Sequence, residues 1–438
     1  MESLLSNKTW KLVDLPIGCK TIGCKWVLRR KLKPDGTIDK YKARLVAKGF
    51  KQKENVDFFD TYSPVTRVTS IRLLIAIAAI HNLKIHQMDV KTAFLNGDLE
   101  EEIYMDQPQG FVQPGHENKV CKLTKSLYGL KQAPKQWHEK FDRSMISNNF
   151  KINESDKCIY YKSIEDTHVI LCLYVDDLLI FGTNLNIIEN TKGLLKNNFD
   201  MKDLGETNVI LGMKITRTPR GIMLDQAHYI EKILKKYKYY DCKPVSSPFD
   251  SSVHLYPTEN DAFVLNQHEY ASIIGSLRYA TDCTRPDIAY AVNILSRFTS
   301  KPSYDHWNAI TRVMKYLKGT INYGLLYKNY PAVLEGFGDV DWNSQSGDSL
   351  STTGYIFILG GAAVCWRSKK QHIIAKSTME AELIALASAG EEASWLRDLL
   401  SEIPVWDKPV PPILLHCDST AAIGRVHNKY YNGKSKAI

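Results

Sequence analysis

The stretch from Leu171 to Gly182 constrains this chain most, because two apolar runs flank an adjacent pair of aspartates, Asp176 and Asp177. Both runs are rich in Leu, Ile, Val, Tyr and Phe, which favour β-strands. They predict a hairpin with the aspartate pair at its turn. Two adjacent carboxylates resist ionising together, and a divalent cation such as Mg²⁺ relieves their repulsion. A solvated Asp-Asp turn is the ordinary alternative, since Asp is common in turns.

The size and composition of the chain indicate a multidomain intracellular protein. Its 438 residues predict about two to four domains. The net charge of +9 fits a polyanionic partner and fits an ordinary soluble protein equally well. The nine cysteines lack zinc-finger spacing, which is typical of reduced thiols. The longest apolar run, Leu73–Ile80, is too short to span a bilayer, and we expect no membrane partner.

Basic strands and a further carboxylate precede the aspartate pair. Lys25–Leu32 and Ile38–Phe50 predict two strands joined at Pro34-Asp35-Gly36. Their many lysines and arginines could grip phosphates, or they could line a solvated hairpin face. Val68–Leu83 predicts a helix, followed by a strand that ends at Asp89. A carboxylate at that strand end is a candidate metal ligand, with a helix cap or a turn as the alternative.

The middle of the chain contains a loop, a basic helix and a linker. Ser126–Pro134 predicts a loop that could approach a flat base and a phosphate closely, or that simply starts the following helix. A strand is expected around Leu211-Gly212. Ala227–Tyr237 predicts a basic helix whose lysines and neighbouring tyrosines suit contact with a nucleic-acid backbone. Pro244–Pro257 predicts a linker, and residues 268–319 predict helices.

The last hundred residues have a different pattern. Leu334–Trp342 predicts an acidic strand, and Gly360-Gly361 predicts a tight hairpin turn. Ser377-Thr378-Met379-Glu380 fits a capping box at the start of an amphipathic helix that carries Glu382. A short apolar strand then ends before Asp418. These acidic residues are candidate ligands, or else turn aspartates and a solvated helix residue.

Five motifs in order resemble blocks of the polymerase polyprotein of copia-type retrotransposons, and the match covers nearly the whole chain. They are Lys25-Trp26-Val27, Lys42–Gly49, Met88–Gly97, Leu127–Pro134 and Tyr174–Asp177. The resemblance implies an α+β fold: a right-hand reverse transcriptase with fingers, palm and thumb, then a helical connection and a ribonuclease H-like α/β domain. It places fingers and palm at 1–185, the end of the palm and the thumb at 186–245, the connection at 246–330 and the nuclease domain at 331–438.

The resemblance also assigns the polymerase site. Asp89 is similar to the first catalytic aspartate of the palm, and Asp176 and Asp177 are similar to those of the polymerase hairpin. These carboxylates, with the backbone carbonyl of Val90, are expected to hold Mg²⁺, with Mn²⁺ as an alternative.

Nucleotide and primer contacts follow from the same resemblance. It implies nucleotide binding by Lys42, Arg44, Phe94, Tyr128, Gly129 and Lys131, and a primer grip at Leu211 and Gly212. Phe94 stands where the family places an aromatic ring against the 2′-hydroxyl of a nucleotide; a core phenylalanine is the alternative.

In the last domain, Asp339, Glu382 and Asp418 resemble the three metal-binding carboxylates of ribonuclease H. Family members carry a histidine and an aspartate shortly after the position of Lys436, where this chain has Ala437 and Ile438. We therefore expect a nuclease domain without its C-terminal end and with weak activity. Met1 falls inside the family pattern, which predicts a remnant or a piece of a longer polyprotein.

The expected function is RNA-directed DNA synthesis. The expected partners are an RNA or DNA template–primer, an RNA–DNA hybrid and deoxynucleoside triphosphates, in a cytoplasmic particle or the nucleus. The alternative is a catalytically decayed copy that only binds nucleic acid. Loss of Asp89, Asp176 or Asp177 would favour that alternative, and all three are present. A cellular nuclease built on the last domain alone leaves the first 240 residues unexplained.

Overall fold

The computed structural model describes residues 1–32, 37–258, 266–342 and 349–428. The predicted Pro34-Asp35-Gly36 turn and the C-terminal residues Lys436, Ala437 and Ile438 lie outside these ranges. Within them, no helix is long and apolar enough to cross a membrane.

The described residues form both helices and strands, which confirms the predicted mixed α/β content. The α-helices are α1 (Glu2–Ser6), α2 (Val68–Ile80), α3 (Ala133–Ser147), α4 (Leu185–Asn198), α5 (Ala227–Lys236), α6 (Gln267–Cys283), α7 (Ala289–Ser296), α8 (Tyr304–Gly319), α9 (Thr378–Glu402) and α10 (Thr420–His427). The strands are β1 (Trp10–Val13), β2 (Thr21–Ile22), β3 (Cys24–Leu32), β4 (Ile38–Ala47), β5 (Lys84–Val90), β6 (Tyr104–Met105), β7 (Val120–Leu123), β8 (Lys151–Ile152), β9 (Ile159–Ile164), β10 (Thr167–Tyr174), β11 (Asp177–Gly182), β12 (Met201–Glu206), β13 (Val209–Ile210), β14 (Met213–Thr218), β15 (Gly221–Asp225), β16 (Gly324–Tyr327), β17 (Glu335–Asp341), β18 (Thr352–Leu359), β19 (Ala362–Lys370) and β20 (Leu414–His416).

The chain divides into two compact units, and each is built from two separate stretches of sequence. Unit 1 comprises Met1–Thr66 and His86–Gly205, whereas unit 2 comprises Arg67–Ile85 and Glu206–Ile438. The predicted boundaries at 185, 245 and 330 stay predictions.

Unit 1 is centred on a sheet with strand order β12-β5-β11-β10-β9-β8. The two central strands are buried almost throughout, as their apolar sequences require. Trp137, Phe141 and Phe199 form an aromatic cluster in the adjoining core, with ring centroids 5.4 to 5.7 Å apart. This packing gives the β10–β11 hairpin a rigid base.

The predicted basic ribbon is confirmed as the antiparallel pair β3 and β4. The expected extension of its second strand to Phe50 is wrong. The strand ends at Ala47, whose amide N–H donates to the carbonyl oxygen of Tyr128 (2.7 Å), and a 3₁₀ turn follows at Gly49–Lys51. A separate sheet with order β1-β7-β6-β2 completes the strands of unit 1.

Unit 2 contains two four-stranded sheets and a helical cluster. One sheet has the order β13-β14-β15-β16 and the other β19-β18-β17-β20. Helices α5 to α8 share one core. Because β16 pairs with β15, the first sheet uses residues on both sides of the predicted boundary at 245.

The apolar helix α2 belongs to unit 2, although it lies within the residues predicted as fingers and palm. It ends at Ile80 rather than Leu83, and its N-cap residue is Arg67, which makes no side-chain cap hydrogen bond. Residues 70–79 are all buried. The guanidinium of Arg72 donates to the carbonyl oxygens of Asp282 (2.6 Å), Cys283 (3.0 Å) and Val364 (2.8 Å). These bonds satisfy a charge that burial would otherwise penalise.

Candidate active sites

The turn of the β10–β11 hairpin consists of Val175 and Asp176, because Tyr174 pairs with Asp177. The expectation that both aspartates share the turn is therefore wrong for Asp177, which is the first residue of β11. Val175 adopts a left-handed backbone with φ +58°, which is strained for a β-branched residue. Two contacts hold this turn: Trp137 Nε1 donates to Val175 O (2.7 Å), and the amide N–H of Val90 donates to Asp176 O (2.8 Å).

The third aspartate, Asp89, lies one residue before the end of β5, the strand beside β11. Burial raises the pKa of Asp177, and the charges of Asp176 and Asp89 raise it further, while a hydrogen bond from Gln87 Nε2 (2.9 Å) opposes the shift. The three carboxylates therefore interact electrostatically. The ligand atoms of these three carboxylates do not all lie within 4.8 Å of one another. The mutual repulsion fits a site for cations.

Three of the predicted nucleotide-binding residues lie together. The rings of Phe94 and Tyr128 meet edge to face at 5.0 Å, and Arg44 Cζ lies 5.5 Å from the centre of the Tyr128 ring. Burial raises the pKa of Tyr128; Arg44 opposes the shift, and Asp176 and Asp89 add to it. Tyr128 thus lies within electrostatic range of both the guanidinium and the candidate metal ligands.

The other two predicted cations, Lys42 and Lys131, are both exposed. Lys42 is exposed on β4, paired across the ribbon with Arg29. Lys131 is exposed, and its ammonium lies 4.6 Å from the centre of the Phe58 ring.

A buried pair of amides positions the loop that carries Tyr128, and sequence reasoning missed it. Gln52 Nε2 donates to Gln132 Oε1 (3.0 Å), and Gln52 Oε1 accepts from the amide N–H of Lys131 (2.9 Å). Gln132 Nε2 in turn donates to Asp57 O (3.0 Å). The partners lie about 80 residues apart in sequence, and no local pattern marks them.

Gly129 is required by this docking, and Gly129→Ala is expected to destabilise the fold. Its φ of +93° costs an alanine about 1–2 kcal/mol. An added Cβ would also overlap Ala47 O and lie 2.7 Å from Val46 Cγ1. We expect a lower urea midpoint of unfolding.

Gly193→Ala is the matched control for this substitution. Gly193 lies inside α4, where an added Cβ meets nothing within 4 Å. The change should raise stability by about 0.5–1 kcal/mol. If Gly129→Ala unfolds at the same urea concentration as the unmodified chain, the inferred close approach is wrong.

Leu211 and Gly212, the predicted primer grip, form the turn between β13 and β14 in unit 2. The strand expected around them is interrupted at this turn, since both residues have left-handed backbones, with φ +48° and +69°, and antiparallel strands lie on either side. The hydroxyl of Tyr279 donates to Leu211 O. Tyr279 lies 68 residues away in sequence, so nothing near the turn indicated its role.

The carboxylates of the last domain lie at one edge of the β19-β18-β17-β20 sheet. Strand β20 runs parallel to β17, and the last pair between them is Phe337 with His416. Asp339 lies two residues after Phe337, and Asp418 lies two residues after His416. Carboxyl ends of parallel strands form one edge of a sheet. Glu382 lies near the start of α9, which packs on this sheet.

The side chains of Glu382, Cys417 and Asp418 lie close together. Their ligand atoms, one from each side chain, all lie within 4.8 Å of one another, whereas Asp339 is outside this group. Asp339 is still near enough to act on Glu382. Burial, followed by the charges of Asp339 and Asp418, raises the pKa of Glu382 to about 7. Sequence reasoning treated Cys417 as an ordinary reduced thiol.

The start of α9 differs in one detail from the predicted capping box. Ser377 Oγ accepts from the amide N–H of Glu380 (3.2 Å), as expected. Glu380 Oε2, however, accepts from the amide of Lys376 (2.7 Å) rather than from Ser377. The predicted hairpin at Gly360-Gly361 is confirmed, with φ +62° and +81°.

A comparison with protein families identifies the larger part of this chain. A family model described as reverse transcriptase (RNA-dependent DNA polymerase) matches residues 7–251, which is more than half of the 438 residues. The chain belongs to the reverse transcriptase family. The matched region contains every candidate polymerase residue from Lys42 to Gly212 and none of Asp339, Glu382 and Asp418.

Whole-chain relatives agree with the family. The chain is 45% identical to the retrovirus-related Pol polyprotein from transposon TNT 1-94 of Nicotiana tabacum, over 100% of this chain and 33% of that protein. It is 37% identical to the corresponding polyprotein from transposon RE1 of Arabidopsis thaliana, over 100% of this chain and 30% of that protein. The chain thus spans about a third of these relatives. The predicted resemblance to copia-type retrotransposon polyproteins is confirmed.

Proposed function

We propose that this chain is the RNA-directed DNA polymerase of a copia-type retrotransposon. One observation carries the proposal: Asp176 lies on a strained turn tied to Val90, and the charges of Asp89 and Asp176 both act on Asp177. The reverse transcriptase family match includes all of these residues. The substrates in this proposal are a template–primer and deoxynucleoside triphosphates.

Asp89 and Asp176 would hold Mg²⁺, with help from Asp177 and the carbonyl of Val90, and Mn²⁺ could replace it. Bound divalent ions supply activation of the primer 3′-hydroxyl and stabilisation of the leaving pyrophosphate. The repulsion among these carboxylates supports the assignment.

The protein's own residues would position the substrates. Arg44 supplies positive charge beside Tyr128, suited to a triphosphate. Tyr128 and Phe94 provide two ring surfaces next to that charge for the sugar and base. Base pairing with the template selects the nucleotide, so these residues need to recognise only shape and backbone.

In this proposal the β3–β4 ribbon belongs to the fingers and the six-stranded sheet of unit 1 to the palm. The helical cluster of unit 2 supplies the thumb and connection. Its lysine–tyrosine contacts suit a nucleic-acid backbone: Lys235 and Lys318 lie 4.8 Å and 4.1 Å from the centre of the Tyr240 ring. The turn at Leu211 and Gly212, supported by Tyr279, would contact the primer.

The last domain would weakly cleave the RNA strand of an RNA–DNA hybrid. Asp339, Glu382 and Asp418 would hold its Mg²⁺. The parallel pairing of β17 with β20 and the packing of α9 support this assignment, because they bring the three carboxylates to one sheet edge.

Primer extension by the purified chain tests the polymerase. A DNA primer on an RNA template, with Mg²⁺ and deoxynucleoside triphosphates, should be extended to the template end. Binding of the template–primer without any extension, in Mg²⁺ and in Mn²⁺, would contradict the proposal and support a decayed copy that only binds nucleic acid.

Phe94→Val is expected to weaken the discrimination against ribonucleotides by roughly tenfold or more, since a steric contact with a hydroxyl-sized group is worth about 1–3 kcal/mol. Phe94 is half-buried beside Tyr128, so a smaller side chain opens space next to that ring. The measurement is the ratio of ribonucleotide to deoxynucleotide incorporation at a single template position.

Phe50→Val is the control for this change, because Phe50 is exposed in the same unit. It should leave the ratio unaltered. An unaltered ratio in folded Phe94→Val as well would show that Phe94 is only a core residue.

A further inference from the structure

The group formed by Glu382, Cys417 and Asp418 contains a sulfur atom that an all-oxygen magnesium site would not need. Each residue offers one ligand atom, and the three atoms lie within 4.8 Å of one another. Cys417 and Asp418 directly follow β20, and Glu382 lies on α9, which packs against that strand. A helix and a strand end thus converge on one point.

Glu382 supplies a second, independent observation. Its side chain is only 9% exposed. Its Oε2 atom is buried, and no hydrogen-bond partner for it exists among the described residues. A buried carboxylate oxygen without a partner costs free energy, and a cation bound there would satisfy it.

We propose that Glu382, Cys417 and Asp418 also form a binding site for thiophilic divalent cations such as Zn²⁺, which would compete there with the Mg²⁺ of the proposed nuclease. Thiolate sulfur selects Zn²⁺ and similar ions, whereas Mg²⁺ takes oxygen ligands. On binding, the Cys417 thiol loses its proton to solvent and the sulfur forms a bond to the ion. One thiolate and two carboxylates leave the fourth tetrahedral position for water.

The spacing permits this coordination. Zinc–sulfur bonds of about 2.3 Å and zinc–oxygen bonds of about 2.0–2.2 Å place tetrahedral ligands roughly 3.3–3.6 Å apart. From separations of at most 4.8 Å, the side chains need to close by no more than about 1.5 Å. Cys417 is half-buried and Asp418 is exposed, so both have room to adjust.

The consequence for catalysis rests on the proposed nuclease: Zn²⁺ held by Cys417 would occupy two of its three carboxylates and slow hybrid cleavage.

Ion binding itself needs no catalysis, so it is tested separately. The full chain is titrated with Cd²⁺ alone, and the sulfur-to-cadmium charge-transfer absorption is recorded. Zn²⁺ affinity is then measured by calorimetry, with and without a large excess of Mg²⁺.

We compare the unmodified chain with Cys417→Ser, Glu382→Gln and the control Cys242→Ser. Cys242 is also half-buried in unit 2 but lies outside the group. The unmodified chain and Cys242→Ser should show the absorption at one equivalent and keep their Zn²⁺ affinity in excess Mg²⁺. Cys417→Ser should lose the absorption and bind Zn²⁺ more than about tenfold more weakly, since even outer-shell partners are worth about 10–100-fold. Glu382→Gln should keep the absorption only at higher Cd²⁺ concentration.

Equal absorption and equal Zn²⁺ affinity in Cys417→Ser and the unmodified chain would overturn the inference, as would displacement of Zn²⁺ by Mg²⁺. If the absorption behaves as expected but no hybrid is cleaved under any condition, the ion site stands and the proposed nuclease fails.

Discussion

Asp176→Asn is expected to slow primer extension by roughly 10²–10⁴-fold. The proposed metal ligands contribute several kcal/mol of transition-state stabilisation, and each 1.36 kcal/mol changes the rate about tenfold. The substitution keeps the shape of the side chain and removes its charge. The hydrogen bond from Val90 N–H is accepted by the backbone oxygen of Asp176, so the turn itself should survive. The measurement is single-nucleotide extension on an RNA template, together with the affinity for template–primer at moderate salt, which should be retained.

Asp166→Asn provides the control, since Asp166 is exposed in the turn between β9 and β10 of the same unit. It should extend primers at the unmodified rate. Extension by Asp176→Asn at a rate near that of the unmodified chain would remove Asp176 from the catalytic site.

Asp418→Asn is expected to reduce cleavage of the RNA strand in an RNA–DNA hybrid by roughly 10²-fold or more while primer extension continues at its unmodified rate. Asp418 is one of two carboxylates in the compact group at the edge of the β17–β20 sheet. Losing one negative ligand weakens the hold on Mg²⁺ there. Both activities are measured on the same preparation, so misfolding would be detected as a parallel loss.

Asp398→Asn tests whether any acidic residue of this domain would have the same effect. Asp398 is exposed on α9, away from the group. It should leave hybrid cleavage unaltered. Cleavage by Asp418→Asn that matches the unmodified chain would refute the assignment of this carboxylate.

Local patterns predicted the β10–β11 hairpin well but missed its register by one residue. Apolar runs on both sides of Asp176 and Asp177 require two strands, whichever residues turn between them. Which pair turns depends on tertiary contacts: Trp137 and Val90 bind the carbonyl oxygens of Val175 and Asp176. These contacts stabilise a left-handed valine that no turn propensity would predict.

Long-range polar contacts could not be predicted at all. The Gln52–Gln132 pair and the bond from Tyr279 to Leu211 join residues about 80 and 68 positions apart. Neither pair carries a periodic or turn signal, and each depends on the fold being complete. The resemblance supplied candidate residues such as Tyr128 and Leu211, but not the groups that position them.

The sequence alone did not mark Cys417 as a candidate ligand. From sequence it was one of nine scattered cysteines without metal-binding spacing. Its relation to Glu382 exists only because α9 packs beside the end of β20. Spacing rules find ligands on one local motif, whereas this group draws on two distant elements.

The assignment of α2 to unit 2 has a consequence for biosynthesis. Its packing against β16 and β19, and the Arg72 bonds to Asp282, Cys283 and Val364, wait for partners that the ribosome makes more than 200 residues later. At about 5–20 residues per second, that delay is roughly 10–60 s, during which the surface of α2 that packs on β16 and β19 is exposed. Residues 68–80 are therefore a natural binding segment for chaperones on the nascent chain. A fragment that ends near residue 245 would keep β15 but permanently lack β16 and β19, so part of the apolar surface of this helix would stay exposed. We expect such a fragment to aggregate even though every candidate polymerase residue is present.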